Sequence, residues 1–360
     1  MARKTVFRIT GVVMCVILTF YLLIHVTYCL RDYTNLMGFY DLPKDKADVV
    51  FVGTSVTLST FMPMQAWEEY GMACADYCTN GMMETTMPYA VRDVMRTQKP
   101  KLLMIDIAPF MYGHYAGNPN WTRNNGVDAG DYIYEFSKCN LDAKRYYLDR
   151  FSQVYEINRD RGGTFTDYWF WFFDIARCHN KKFKIDQFFN TMHDVNKGYV
   201  HLPHNEGGYT DPAEFVDEDG SVTAITGWDL KYLDKLADTV KSLDSDTQVV
   251  FYCAPVFFVR RNDIGRKNFI REYMAANGLN FVDFTPDREN IGIDPETDLW
   301  GLDHYDALGA AKVTEHLCKY IDENHDIPDR RNDADYSYWA DDVAAWDELY
   351  EGYVEKDLAQ

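Results

Sequence analysis

Five short apolar runs, at residues 47–53, 73–78, 101–107, 247–254 and 279–284, constrain the fold of this 360-residue chain more than any other feature. None of them alternates polar with apolar side chains. Stretches such as "ADVVFVG" and "KLLMIDI" read as strands covered on both faces, the habit of parallel sheets. Helical patterns stand between and after them. Residues 63–70 open on a proline in the first turn, 88–96 follow the second run, 264–277 follow the fourth, and 307–324 close the series. This alternation predicts a three-layer α/β domain with a mainly parallel sheet over residues 47–325. Hydrophobic residues make up 47% of the chain, enough to bury a core of that size.

Other segments stand outside this pattern. The connection over 110–228 is too long for a simple loop and predicts a lid or substrate-binding subdomain with helices of its own. Its aromatic run "DYWFWFF", 167–173, reads either as core or as an interfacial patch resting on a membrane or stacking on sugars. Residues 326–360 form an acidic, aromatic extension expected to pack on the surface. At the other end, 9–30 contains no Asp, Glu, Lys or Arg. As a helix it would span about 30 Å, the thickness of a bilayer's hydrocarbon core. Arg3, Lys4 and Arg8 precede it, which predicts a cytoplasmic stub at 1–8, a membrane anchor, a linker at 31–46 and an extracytoplasmic domain. A cleaved signal peptide is the rival reading. The run is long for one, no small-x-small site follows it, and the "VTY" before Cys29 does not suit a lipoprotein site.

The eight cysteines contain no CxxC pair. Cys74 and Cys253 fall in strand-like runs and read as buried small hydrophobes. A formal net charge of -20 argues against a nucleic-acid partner, whose phosphates call for Lys and Arg.

In an open parallel sheet, ligands bind beyond the carboxyl ends of the strands. Ser55 follows the first run there, and Asn80 and Gly81 ("CTNGMM") follow the second. Arg260 and Arg261 come after the fourth, and "DLWGLDHYDALGAAKVTEHL" places His304 just before the last helix. Acyl transfer by serine needs a base within hydrogen-bond reach and donors aimed at the developing oxyanion. Ser55 is the candidate nucleophile and His304 the candidate base. The backbone N–H groups of Ser55 and Gly81, with the Asn80 amide, are candidate oxyanion donors. Each has a plain reading beside it: Ser55 as a helix cap, His304 as a structural histidine, Asn80-Gly81 as a turn. Arg260 and Arg261 read as a solvated pair or as a subsite for a phosphate or carboxylate. Asp106 reads as a structural or supporting carboxylate. His201 and His204 ("HLPH") read as a surface loop or as two metal ligands lacking a third. No metal and no cofactor is expected.

Together these stretches resemble the SGNH/GDSL hydrolases. "DVVFVGTSV" is similar to their first block, with Gly-Asp-Ser relaxed to Gly-x-Ser, and Asn80-Gly81 is similar in place to the second. "HYDALGAAKVTEHL" resembles the final block, with His304, Gly309, Ala310 and Lys312 aligned. "NLMGFYDLPKDKADVVFVGTS", "RTQKPKLLMIDI" and "IPDRRNDADYSYW" resemble the membrane-anchored, extracytoplasmic branch of Gram-positive bacteria related to the D-alanyl-lipoteichoic acid protein DltD. The resemblance covers most of 38–340 and is poorest over 110–228. It implies a flavodoxin-like SGNH fold and a serine esterase or O-acyltransferase in the cell membrane. The substrate implied is an acylated envelope polysaccharide or teichoic acid, with a membrane-bound acyltransferase as a candidate partner. The family's final block carries an Asp three residues before the His, to orient the imidazole, and here that position is Gly301. Asp298 and Asp303 flank it. Asp298 is the expected substitute, because a residue adjacent to His304 would have to point its side chain along the chain. The Gly-x-Asn-Asp block is not visible. Gly301 also motivates an alternative reading, a catalytically degenerate SGNH-fold protein that binds an envelope polymer or membrane partner.

Overall fold

A computed structural model of the chain describes residues 2–26, 33–113, 140–141, 147–160, 162–173, 192–205, 220–243, 246–256, 261–301 and 303–359. It falls into two compact units, one made of Met1–Tyr33 with Lys138–Asn190 and the other of Thr34–Ser137 with Thr191–Gln360.

The second unit holds the sheet. Its first half runs α2 (Tyr33–Asp41), β1 (Val49–Gly53), α3 (Ser55–Leu58), α4 (Pro63–Tyr70), β2 (Cys74–Cys78), α5 (Met87–Thr97), β3 (Leu102–Asp106) and α6 (Ala108–Tyr112), after α1 (Ala2–Val26) of the first unit. α7 (Tyr147–Asp160) and α8 (Phe165–Phe173) also belong to the first unit. The second unit resumes with α9 (Gly227–Lys241), β4 (Gln248–Cys253), α10 (Arg261–Ala276), β5 (Phe281–Asp283), β6 (Leu299–Gly301), β7 (His304–Tyr305), α11 (Ala307–Asn324) and α12 (Val343–Leu358).

The five apolar runs become β1–β5, every neighbouring pair parallel, in the order β2-β1-β3-β4-β5. Every residue of β1, β2 and β3 is buried, Asp76 and Asp106 included, as expected of strands covered on both faces. The chain leaves β1 toward β2 on one side and later returns to β3 on the other. That reversal makes the carboxyl ends of β1 and β3 the topological switch point, where open α/β sheets bind ligands. β6 and β7 form a separate antiparallel hairpin, with Leu299 opposite Tyr305 and Gly301 opposite His304. α4 begins on Pro63 and ends at Gly71, whose φ of 70° is the left-handed conformation that closes a helix cheaply only with glycine.

The 326–360 extension, expected on the surface, is partly core. Trp339 is fully buried, stacks on Trp67 and donates its indole N–H to the Cys74 carbonyl at 3.0 Å. Of the 110–228 excursion, the described residues 147–160 and 162–173 belong to the first unit, and 192–205 and 220–228 to the second. In the first unit, Phe172 stacks on Phe151 and Trp169 meets Phe20 edge-on. Trp171 and Phe172 of the aromatic run are buried, whereas Phe165 is exposed. Among the described residues no helix is long and apolar enough to cross a membrane. The anchor expected over 9–30 therefore gains no support from them, and residues 27–30 of that run lie outside them. Cys74, Cys78, Cys253 and Cys318 are buried free thiols.

Candidate active site

At the tip of β1 the two hydroxyl residues have different tasks. Thr54, not Ser55, caps α3: its backbone is extended and its hydroxyl accepts the Val56 N–H at 3.2 Å. Ser55 is the first helical residue, where the backbone N–H has no partner within the helix, and its side chain is free of capping duty. A single buried carboxylate fixes this turn from below. Asp106 ends β3, and its Oδ2 accepts the hydroxyls of Thr54 and Thr57, each at 3.1 Å, while Oδ1 accepts the Ala108 N–H at 2.8 Å. Burial pushes Asp106 up to about 6, and those hydrogen bonds keep it from rising further. Gly53 is required by the same contact, since a Cβ there would lie 2.5 Å from Thr57 Oγ1 and 2.7 Å from Asp106 Cβ.

His304 reaches this turn from β7. Its Nε2 lies 2.8 Å from Ser55 Oγ, in position to accept the hydroxyl proton. On the far side of the ring, Nδ1–H meets Asp303 Oδ1 at 2.6 Å. Asp303 occupies the turn of the β6–β7 hairpin, where strand alternation does not apply, so its carboxylate can lie against the neighbouring ring. Burial works against protonation of His304. The charge of Asp303 and its hydrogen bond outweigh burial, and the net pKa lies above the ordinary 6.5. Trp300 stands edge-on to the imidazole with ring centroids 5.6 Å apart.

Asp298 does not orient His304, contrary to the expectation from sequence. It is buried, accepts the Asp294 N–H at 2.7 Å, and pairs with Lys312 Nζ at 2.5 Å. Those contacts fasten the loop before the hairpin to α11. Gly309 serves the same junction, because a Cβ there would meet the Asp298 carbonyl at 2.2 Å. Gly301, by contrast, faces open space: a Cβ would meet nothing within 4 Å.

Asn80 and Gly81 follow β2 after one residue, Thr79. The Thr79 N–H still bonds the Gly53 carbonyl at 3.3 Å, so the pair leaves the sheet at the edge where Ser55 leaves β1. Gly81 has a φ of 54°, which explains the Asn-Gly turn there. Arg260 lies outside the described residues, and Arg261 opens α10. His201 and His204 are tied to carboxylates rather than to each other: His201 Nε2 to Asp357 at 2.9 Å, and His204 Nδ1 to Asp306 at 3.0 Å. Among the described residues no group of three or more His, Cys, Asp or Glu side chains could hold a metal ion.

No protein-family model and no curated protein matches the sequence. Among solved structures, a gut microbial diltiazem-metabolizing enzyme superposes with a TM-score of 0.37 and 14% identity, over 78% of this chain and 48% of its own. This chain thus spans about half the length of that protein, and a likeness so distant carries no argument about activity.

Proposed function

We propose that this chain is a serine esterase or O-acyltransferase of the SGNH type, acting through Ser55, His304 and Asp303. The observation that carries the reading is the unbroken relay from Ser55 Oγ through His304 to Asp303, with both hydrogen bonds at 2.8 Å or less. His304 takes the hydroxyl proton as Ser55 Oγ attacks an acyl carbonyl. The imidazolium is held by ionised Asp303, then returns the proton to the leaving oxygen as the tetrahedral intermediate collapses to an acyl-enzyme. A second round delivers the acyl group to water or to a sugar or polyol hydroxyl. The oxyanion is assigned to the Ser55 and Gly81 N–H groups and the Asn80 amide, which share the carboxyl edge of β1 and β2.

The strand order β2-β1-β3-β4-β5 is that of flavodoxin-like sheets and is consistent with this family. An acylated envelope polysaccharide or teichoic acid is the proposed substrate, with the chain anchored through 9–30 and a membrane-bound acyltransferase as partner. These proposals rest on the motif resemblance and on that uncharged apolar run. Arg260 and Arg261 are proposed to meet an anionic part of the polymer. Asp303 on the imidazole supplies the carboxylate that position 301 lacks, which favours catalysis over the purely binding alternative.

A fluorophosphonate should label the protein at Ser55, with labelling lost in Ser55→Ala and in His304→Ala. Hydrolysis of p-nitrophenyl acetate should fall in parallel. Unchanged hydrolysis in Ser55→Ala would overturn the assignment.

A further inference from the structure

Asp357, near the end of α12, bonds not Ser55 or His304 but the segments that hold them. Its side chain is fully buried. Oδ1 accepts His201 Nε2–H and the His204 backbone N–H, and Oδ2 accepts the Ala307 backbone N–H, each at 2.9 Å. Burial opposes its ionisation, but the bonds from His201, His204 and Ala307 outweigh burial, and its pKa is lowered.

The three donors belong to two parts of the site. Ala307 opens α11, immediately after the hairpin that carries His304. Asp306, which caps α11 by accepting the Gly309 N–H at 3.0 Å, is gripped on its other oxygen by His204. The loop bearing His201 and His204 also reaches the nucleophile's helix, where the Val200 N–H donates to the Leu58 carbonyl at 2.9 Å. Leu58 is the last residue of α3, whose first is Ser55.

We propose that Asp357 is a positioning residue, a clamp that sets the separation of Ser55 and His304 by fastening the first turn of α11 to the 200–204 loop. The proposal rests on the serine-relay reading above. Replacing one acceptor oxygen by an amide forces a donor against a donor, and leaves a buried N–H unpaired.

The test uses the full chain with Asp357→Asn. On p-nitrophenyl acetate, kcat should fall roughly tenfold to a hundredfold with KM unchanged, and fluorophosphonate labelling should slow by the same factor. Trp339→Phe is the control for stability alone, because it loosens the same C-terminal region through Cys74 and Trp67 without touching Asp357. It should lower Tm while leaving kcat within about twofold. If Asp357→Asn fails to fold, His201→Ala replaces it: it removes the His201 bond to Asp357 Oδ1, and should lower kcat in the same direction. Unchanged kcat in the folded variant, or equal loss of kcat in Trp339→Phe at matched Tm, overturns the clamp. A separate readout is the downfield proton NMR resonance of His304 Nδ1–H, identified by its disappearance in His304→Ala. Asp357→Asn should weaken it and speed its exchange, and an unaltered resonance overturns the proposal. A wild-type chain that neither labels nor turns over would sink the catalytic reading, and the resonance would then decide the clamp by itself.

Discussion

At the tip of β1 the Thr54 hydroxyl accepts the Val56 N–H, and the Ser55 hydroxyl donates to His304, so capping and proton donation fall to different residues. The consequences are measurable residue by residue. Because Asp303 holds the imidazole's pKa above 6.5, and the base must be neutral to act, kcat/KM should rise with pH through an inflection above that value. Asp303→Asn removes the charge, the larger of the two causes of the rise. It should cost roughly a hundredfold or more in kcat and move the inflection to lower pH. Asp298→Asn, whose contacts run to Lys312 and Asp294, should leave the inflection in place and show mainly as lost stability. Gly53→Ala would drive a methyl into Thr57 and Asp106, at a cost of about 1–3 kcal/mol in Tm-derived stability, and should reduce labelling of Ser55. Ser55 and His304 were legible in the sequence because each sits where an apolar run or a helix start forces it to the sheet edge. The capping role of Thr54 was not, since adjacent hydroxyl residues differ only in which one the helix takes in.

At the scale of the element, the hairpin β6–β7 decides which carboxylate serves His304. Adjacency argues for Asp298 over Asp303, because a residue next to His304 would have to point its side chain along the chain. The turn at Asp303 suspends that constraint, and a two-residue strand with an irregular register gives no periodic signal from which to read it. The same hairpin supplies a rescue experiment. Gly301 is the cross-strand partner of His304, and a side chain there meets open space. Gly301→Asp should be tolerated, and combined with Asp303→Ala it should recover part of the activity lost in Asp303→Ala alone. A double variant no more active on p-nitrophenyl acetate than Asp303→Ala would show that the cross-strand position cannot reach Nδ1. The strands were legible for a simple reason: β1, β2 and β3 are buried throughout and β4 over its second half, which leaves mainly apolar runs, and β5, only half-buried, continues the same habit. The contribution of α12 was not, because its contacts with the 196–204 loop span the sequence distance from Asn196 to Asp357 and depend on single polar atoms.

For the whole molecule, the buried carboxyl of Asp106 links the site to stability. Its folded pKa of about 6 exceeds the unfolded 3.8, so between those values the folded state binds more protons than the unfolded one. Stability from this group is greatest below pH 3.8 and is lost as pH rises through about 6. Asp106→Asn should flatten that fall, seen as a smaller drop in Tm between those pH values than in the unaltered chain. A drop of equal size would assign the slope to other groups. The proposed anchor is tested at the same scale, by whether the full chain sediments with membranes and resists carbonate extraction. The relay itself joins two scales of chain connectivity. His304 and Asp303 are neighbours, whereas Ser55 lies 249 residues from His304 and meets it only across a finished parallel sheet. Proton transfer from Ser55 therefore cannot begin until β1 and the hairpin have both docked. With Ser55 as the nucleophile proposed above, its covalent labelling would time the docking of β1 against the hairpin, separately from spectroscopic signals that average over the whole chain.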